Sequence, residues 1–114
     1  MQAFELAAVM LQREAAGRPY LEFLRVASLS MGLYELPAGG TDTQSPHTED
    51  EVYYVGAGLA RVNVGDEEQA VGEGSIIYVP AGVPHRFHTI TQDLSLLVFF
   101  APAEYSQATG KAGQ

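Results

Sequence analysis

The chain has 114 residues, with 6 basic side chains against 14 acidic ones, a formal net charge of −8 and an isoelectric point near 4.6. Such a surface repels phosphate backbones and anionic bilayers, so neither a nucleic acid nor a membrane is an expected partner. Cysteine is absent, which excludes disulfides, zinc ribbons and thiol nucleophiles, while a 46% hydrophobic composition suits one soluble core.

Residues 4–16 read as an amphipathic helix, with Phe4, Ala7, Ala8, Leu11 and Ala15 on one stripe and Gly17 and Pro19 ending it. From Tyr20 the period changes to two, which predicts strands over 20–26 and 29–34 with Leu29, Met31 and Leu33 sharing a face. A Pro/Gly loop follows at 37–42. The next strands are expected at 51–55, closed by Gly56-Ala57-Gly58, and at 59–64, closed by a Gly65-Asp66 hairpin turn. Residues 67–71 read as a polar edge strand, 75–79 as an apolar one stopped by Pro80-Ala81-Gly82, and 85–90 as another short strand.

The run at 94–100 (Leu-Ser-Leu-Leu-Val-Phe-Phe) is apolar on both faces, so its outer face needs a cover. The N-terminal helix or a second subunit would supply it, and a homodimer is expected on that ground. About nine or ten short strands without alternating helices predict an all-β sandwich or barrel. The expected organisation is a bracing helix over 1–18, one barrel over 19–105 and a flexible tail over 106–114. No apolar run approaches the roughly 18 residues of a membrane span and no leader pattern opens the chain, so a cytoplasmic location is expected.

All three histidines fall in two short stretches, Ser45 to Val55 and Pro80 to His88. His47, Glu51 and His85 are the nitrogen and oxygen donors that a small divalent ion takes. Residues two apart on a strand share a face, so Ser45 and His47 point together. Glu51 opens the next strand beyond an acidic turn, and the turn at 80–84 delivers His85 from a separate hairpin. Tyr53 and Val55 share parity with Glu51, and Phe87 shares it with His85. With Phe23, Met31 and Tyr34 they are the candidates to line a pocket. Arg25 is the basic side chain placed to meet a substrate carboxylate if it faces inward.

Gly39-x5-Ser45-x-His47-x3-Glu51-x6-Gly58 resembles the first motif of the cupin superfamily, G-x5-H-x-H-x3-E-x6-G. Gly74-x5-Pro80-x-Gly82-x2-His85-x3-Thr89 resembles the second, G-x5-P-x-G-x2-H-x3-N. The resemblance implies a single-domain jelly-roll β-barrel of two antiparallel sheets holding one metal ion, iron, zinc, manganese or nickel. Ser45 stands in place of the first histidine and Thr89 in place of the asparagine. Carried over by position, His47, Glu51 and His85 are the implied ligands. Glu49 or Ser45 is a candidate for the vacated place, and Gln44 offers only a neutral amide whose parity points away.

Glu49 and Asp50 otherwise read as solvated turn acids, and His88, three beyond His85, as a surface histidine. Cupins include metal-dependent dioxygenases, isomerases and lyases, so an enzyme acting on a small polar organic molecule is one expectation. A non-catalytic barrel, metal-free or with a decayed site, that binds or senses a small molecule is the other.

Overall fold

The computed structural model describes residues 1–43 and 46–107. A helix, α1 (Leu6–Ala16), precedes six strands: β1 (Tyr20–Val26), β2 (Leu29–Leu36), β3 (Asp50–Val64), β4 (Glu67–Gly72), β5 (Ile76–Val79) and β6 (His85–Ala101). All pair antiparallel in the order β1-β2-β6-β3-β4, with β5 also on β3.

Two long strands build the molecule. The first half of β3 lies between β5 and the second half of β6, so Tyr53 faces Ile77 on one side and Val98 on the other. Its second half lies between β4 and the first half of β6, where Val62 faces Gln69 and Phe87. One ladder therefore folds into two antiparallel layers, β1-β2-β6-β3-β5 and β6-β3-β4. The layers meet through Tyr53 and Phe87, whose rings pack edge-on at 4.9 Å. Around that contact sits a core that includes Tyr34, Val55, Val62, Leu94, Leu96 and Phe100.

Six strands stand in place of the expected nine or ten: neither Gly56-Ala57-Gly58 nor residues 91–93 end a strand, and His47, expected on a strand, lies in a loop. Pairing with β6 continues through register shifts between Val55 and Arg61, so the chain bends while staying hydrogen-bonded. Gly58 makes this possible. At φ 103° a Cβ there would sit 2.4 Å from the Asp93 carbonyl oxygen, so only glycine permits the two long strands to approach so closely. The Gly65-Asp66 turn and the edge position of β4 are as expected.

The helix lies where it was expected, but on a different face. Val9 is its one buried residue and Leu11 is 66% exposed. A long arginine stem takes the place of an apolar stripe: Arg13 reaches Glu35 of β2 at 2.9 Å, and Phe4 packs on Phe23 at 5.1 Å. α1 contacts β1 and β2. It braces that end of the sheet and leaves Tyr54, Ile76 and Tyr78 exposed on the outer face of β3 and β5. The inward side of β6 (Leu94, Leu96, Val98, Phe100) is fully buried, whereas Leu97 and Phe99 on its outward side are half-buried. Among the described residues, no helix is long and apolar enough to cross a membrane.

Candidate metal centre

His47 lies in the loop before β3, Glu51 is the second residue of β3, and His85 is the first residue of β6. In the ladder His85 pairs with Val64, at the end of β3 remote from Glu51. The three meet only because the sheet folds over. Two hydrogen bonds clasp the loops: the Gly82 N–H donates to the His47 carbonyl at 2.7 Å, and the Ala81 N–H to Asp50 Oδ1 at 2.9 Å. Gly82, at φ 79°, sets its amide toward the first loop. Asp50 is thus an exposed acid with a structural partner rather than a free turn acid.

The ligand atoms of His47, Glu51 and His85 lie within 4.8 Å of one another. His85 Nε2 is 3.0 Å and His47 Nδ1 3.4 Å from Glu51 Oε1. All three side chains are buried, with Glu51 only 1% exposed. Yet His47 Nδ1, both Glu51 oxygens and His85 Nε2 have no aligned hydrogen-bond partner among the described residues. An unsatisfied buried polar group costs about 1–3 kcal/mol, and more when charged. Four such atoms aimed at one point are the signature of a ligand set, because a divalent cation satisfies them together.

The far nitrogens support the same fit. His85 Nδ1 lies 3.0 Å from the Val83 carbonyl, to which it donates, leaving the Nε2 lone pair for the centre. His47 Nε2 lies 3.0 Å from Glu104 Oε2, so its Nδ1 faces inward. Burial alone would lower the pKa of His47, but the Glu104 and Glu51 carboxylates outweigh it and push the value up to about 9. His85 is also raised, with Glu51 and the Val83 carbonyl overcoming burial. Burial acts to raise Glu51, and contacts from His47, His85 and Tyr53 bring it below the ordinary carboxylate range. Without an ion these shifts favour the protonated form of each ring and the anionic form of the carboxylate.

Tyr53 lies 5.9 Å from the His85 ring, and Phe87 packs behind Tyr53. Val55 is buried in the core. A cavity of about 430 Å³ opens onto His47 and is lined by Tyr20, Tyr34, Thr43, Phe100, Glu104 and Tyr105, with no lysine or arginine among them. The Tyr20 hydroxyl is buried without a hydrogen-bond partner among the described residues. Its ring covers Gly32, where any Cβ would collide with it. A larger hollow of about 650 Å³ between β4 and β5 contains no member of the triad. The smaller one is the cavity that reaches the triad, at His47.

Several expected roles change. Met31 points to the outer face, opposite Phe99, and Phe23 packs against Phe4, so neither lines the cavity. Glu49 is neither a ligand nor a solvated acid. It is 1% exposed, and it accepts the Thr48 hydroxyl and the backbone N–H groups of Tyr105 (2.6 Å) and Gln107 (2.9 Å). Those bonds explain why its pKa is lowered in spite of burial. Arg25 faces solvent and donates to the Glu104 carbonyl at 2.8 Å. His88 contacts Asn63, Thr89 and Glu68, away from the triad. Ser45 and Gln44 lie outside the described residues.

Sequence reasoning missed Asp42, Tyr20 and Glu104. Asp42 is 2% exposed and joins the Tyr34 hydroxyl to the Phe87 N–H, which fixes the opening loop of the first motif to β2 and β6. An acid in a Gly/Thr loop carries no periodic signal that would mark it. Glu104 sits in a turn after Pro102, where an acid ordinarily faces water, and nothing local shows that the turn returns to the centre.

A protein-family model described as a cupin domain matches residues 32–100. An uncharacterised protein of Streptomyces coelicolor, SCO3923, is 51% identical over 104 residues, covering 91% of this chain and 99% of its own length. Acireductone dioxygenase 2 of Arabidopsis thaliana is 33% identical over 86 residues; these span 71% of this chain and 44% of that protein. Among solved structures, TT1209 of Thermus thermophilus superposes with a TM-score of 0.69 at 26% identity, covering 90% of this chain and 99% of the other.

Proposed function

The chain belongs to the cupin family, and from that premise we propose that it binds one divalent metal ion through His47, Glu51 and His85 and acts there on a small polar organic molecule. The observation that carries this reading is the set of buried donor atoms that converge from both layers without an aligned hydrogen-bond partner among the described residues. Two imidazoles and one carboxylate are the donor set of the facial-triad oxygenases, and such a set leaves positions open for substrate. Zinc, manganese and nickel accept the same donors. An ion bound there supplies Lewis acidity or, if it is iron, oxygen activation.

The likeness to a dioxygenase makes oxygen-dependent chemistry the first activity to test. The chain's own residues define the rest of the site. Tyr20 offers a hydroxyl with no hydrogen-bond partner among the described residues, Tyr34 and Phe100 give an aromatic wall, and the Tyr105 ring lies 5.5 Å from His47. A cavity without a cation suits a neutral, hydroxylated substrate better than a highly anionic one. Tyr20→Phe is then expected to weaken substrate binding without affecting metal uptake.

Elemental analysis of untagged protein tests the reading. About one equivalent of metal is expected after loading with iron(II), zinc or manganese, and under about a tenth would overturn it. A second reading, a barrel that binds a small molecule without metal, is favoured by the serine at position 45 of the first motif. It predicts ligand-induced thermal stabilisation that survives His47→Ala and His85→Ala.

The partner we propose is a second copy of the chain, seated on the outer face that carries Tyr54, Ile76 and Tyr78. Three large exposed apolar side chains on one face, bordered by Asp50 beside Tyr78, form a surface that a second copy would remove from water. Light scattering checks it: a monomeric mass at working concentration removes the proposal.

A further inference from the structure

His47 is held differently from its partners, and the group that holds it comes from outside both motifs. After β6 the chain forms a strap over residues 102–107 that returns across the centre. The β1–β2 hairpin pins its start: the Ala103 N–H donates to the Ala27 carbonyl, and the Glu104 N–H to the fully buried Ser30 hydroxyl at 2.9 Å. Arg25 holds the Glu104 carbonyl. Glu49, two residues beyond His47, holds the far end through the Tyr105 and Gln107 amides. Between these anchors the Glu104 side chain, 14% exposed, is directed at His47.

From this geometry we infer that Glu104 is a positioning residue for the metal centre: it accepts the His47 Nε2–H and so commits the Nδ1 lone pair to the ion. The inference rests on the metal reading above and deepens it. Glu104 does not join the ligand set, because it meets the ring on Nε2 while Glu51 faces Nδ1. Its role toward His47 matches that of the Val83 carbonyl toward His85. The sequence has a serine where the first motif has a further histidine, and the strap brings a carboxylate to His47 from far along the chain. Glu49 thereby acquires a purpose that its place in the first motif conceals, since it anchors the segment that carries Glu104.

The test uses untagged full-length protein loaded with zinc. Zinc affinity is measured by competition with a chromophoric chelator, and the metal-bound nitrogen of each histidine is assigned by ¹⁵N NMR. Wild-type protein is expected to show His47 bound through Nδ1 with a protonated Nε2. Glu104→Ala is expected to lower zinc affinity about 10–100-fold, with a metal-free melting temperature within a few degrees of wild type. Glu104→Gln, whose amide oxygen still accepts the N–H, should recover most of that loss. Coordination of His47 through Nε2, or a Glu104→Ala affinity within about twofold of wild type, overturns the inference. The nitrogen assignment is made on wild-type protein, so it decides even if a variant does not fold. Wild-type protein that takes up no zinc overturns the metal reading itself, before any variant is compared.

Discussion

The two histidines of the centre face the same carboxylate, but they are fixed by different means. His85 is set by its own turn: the acceptor for its Nδ1 is a backbone carbonyl two residues away, which no side-chain substitution removes. His47 depends on Glu104, a side chain brought from beyond the last strand and held in turn by Glu49. One half of the site is therefore locally encoded and the other is assembled from segments far apart in the chain. The assembled half is where the chain departs from the family's first motif.

The strongest way to break the comparison is to remove a ligand outright, either the carboxylate that both histidines face or the locally fixed histidine. Glu51→Gln or His85→Ala should abolish stoichiometric metal uptake, by about three orders of magnitude or more in affinity, read by chelator competition. If either variant still binds a full equivalent, the centre lies elsewhere.

The charge on His47 gives the next largest effect. Its pKa is raised from 6.5 to about 9, so the metal-free fold has this contribution in full below pH 6.5 and loses it as pH rises through 9. A loss on the order of 2 kcal/mol is expected across that window, measured by urea unfolding of metal-free protein. His85 is raised as well and acts in the same direction. Glu104→Gln should flatten the profile by removing one of the two carboxylates that hold the proton on His47. An unchanged profile would mean that the ring is not held from the strap.

Glu49→Ala separates the clamp from the ligand set. Freeing the Tyr105 and Gln107 amides should lower stability by about 1–2 kcal/mol and expose the strap to proteolysis near residue 105. Metal affinity should fall less than in Glu104→Ala, because the hairpin anchors at Ser30 and Ala27 remain. A drop as large as that of a ligand variant would return Glu49 to the ligand set.

The smallest effect sharpens the local half. Thr89 holds φ 51°, which a β-branched residue adopts at a penalty. It occupies the place of the asparagine of the second motif, a residue that tolerates the left-handed region. Thr89→Asn should raise stability by about 0.5–1 kcal/mol in thermal melts and leave metal affinity unchanged, since His85 is fixed by Val83. A change in affinity would show that the second motif is less self-contained than its hydrogen bonds indicate.

Much of the molecule could be read before any coordinates. Period-two patterning located β1 and β2, because a half-buried strand writes its alternation directly into the residue order, while flanking turn residues marked off β4 and β5. The motif spacing singled out His47, Glu51 and His85, since each sits at a turn or strand end whose geometry is set by neighbouring glycines and prolines. Strand continuity was not legible. Gly56-Ala57-Gly58 looks like a stop, and it bends a strand only because β6 keeps pairing alongside. The helix face was also hidden, as its phase follows from the Arg13–Glu35 ion pair rather than from its apolar residues.

Local sequence thus determined which residues have the chemistry to hold an ion, because donor type and turn geometry are properties of short stretches. Only the tertiary structure decided what surrounds them. Glu104, Glu49 and Tyr20 look like ordinary surface residues in the linear chain, and Asp42 like a loop acid. Each acquires its role from a partner many residues distant, through contacts that exist only once the two layers have closed and the strap has crossed them.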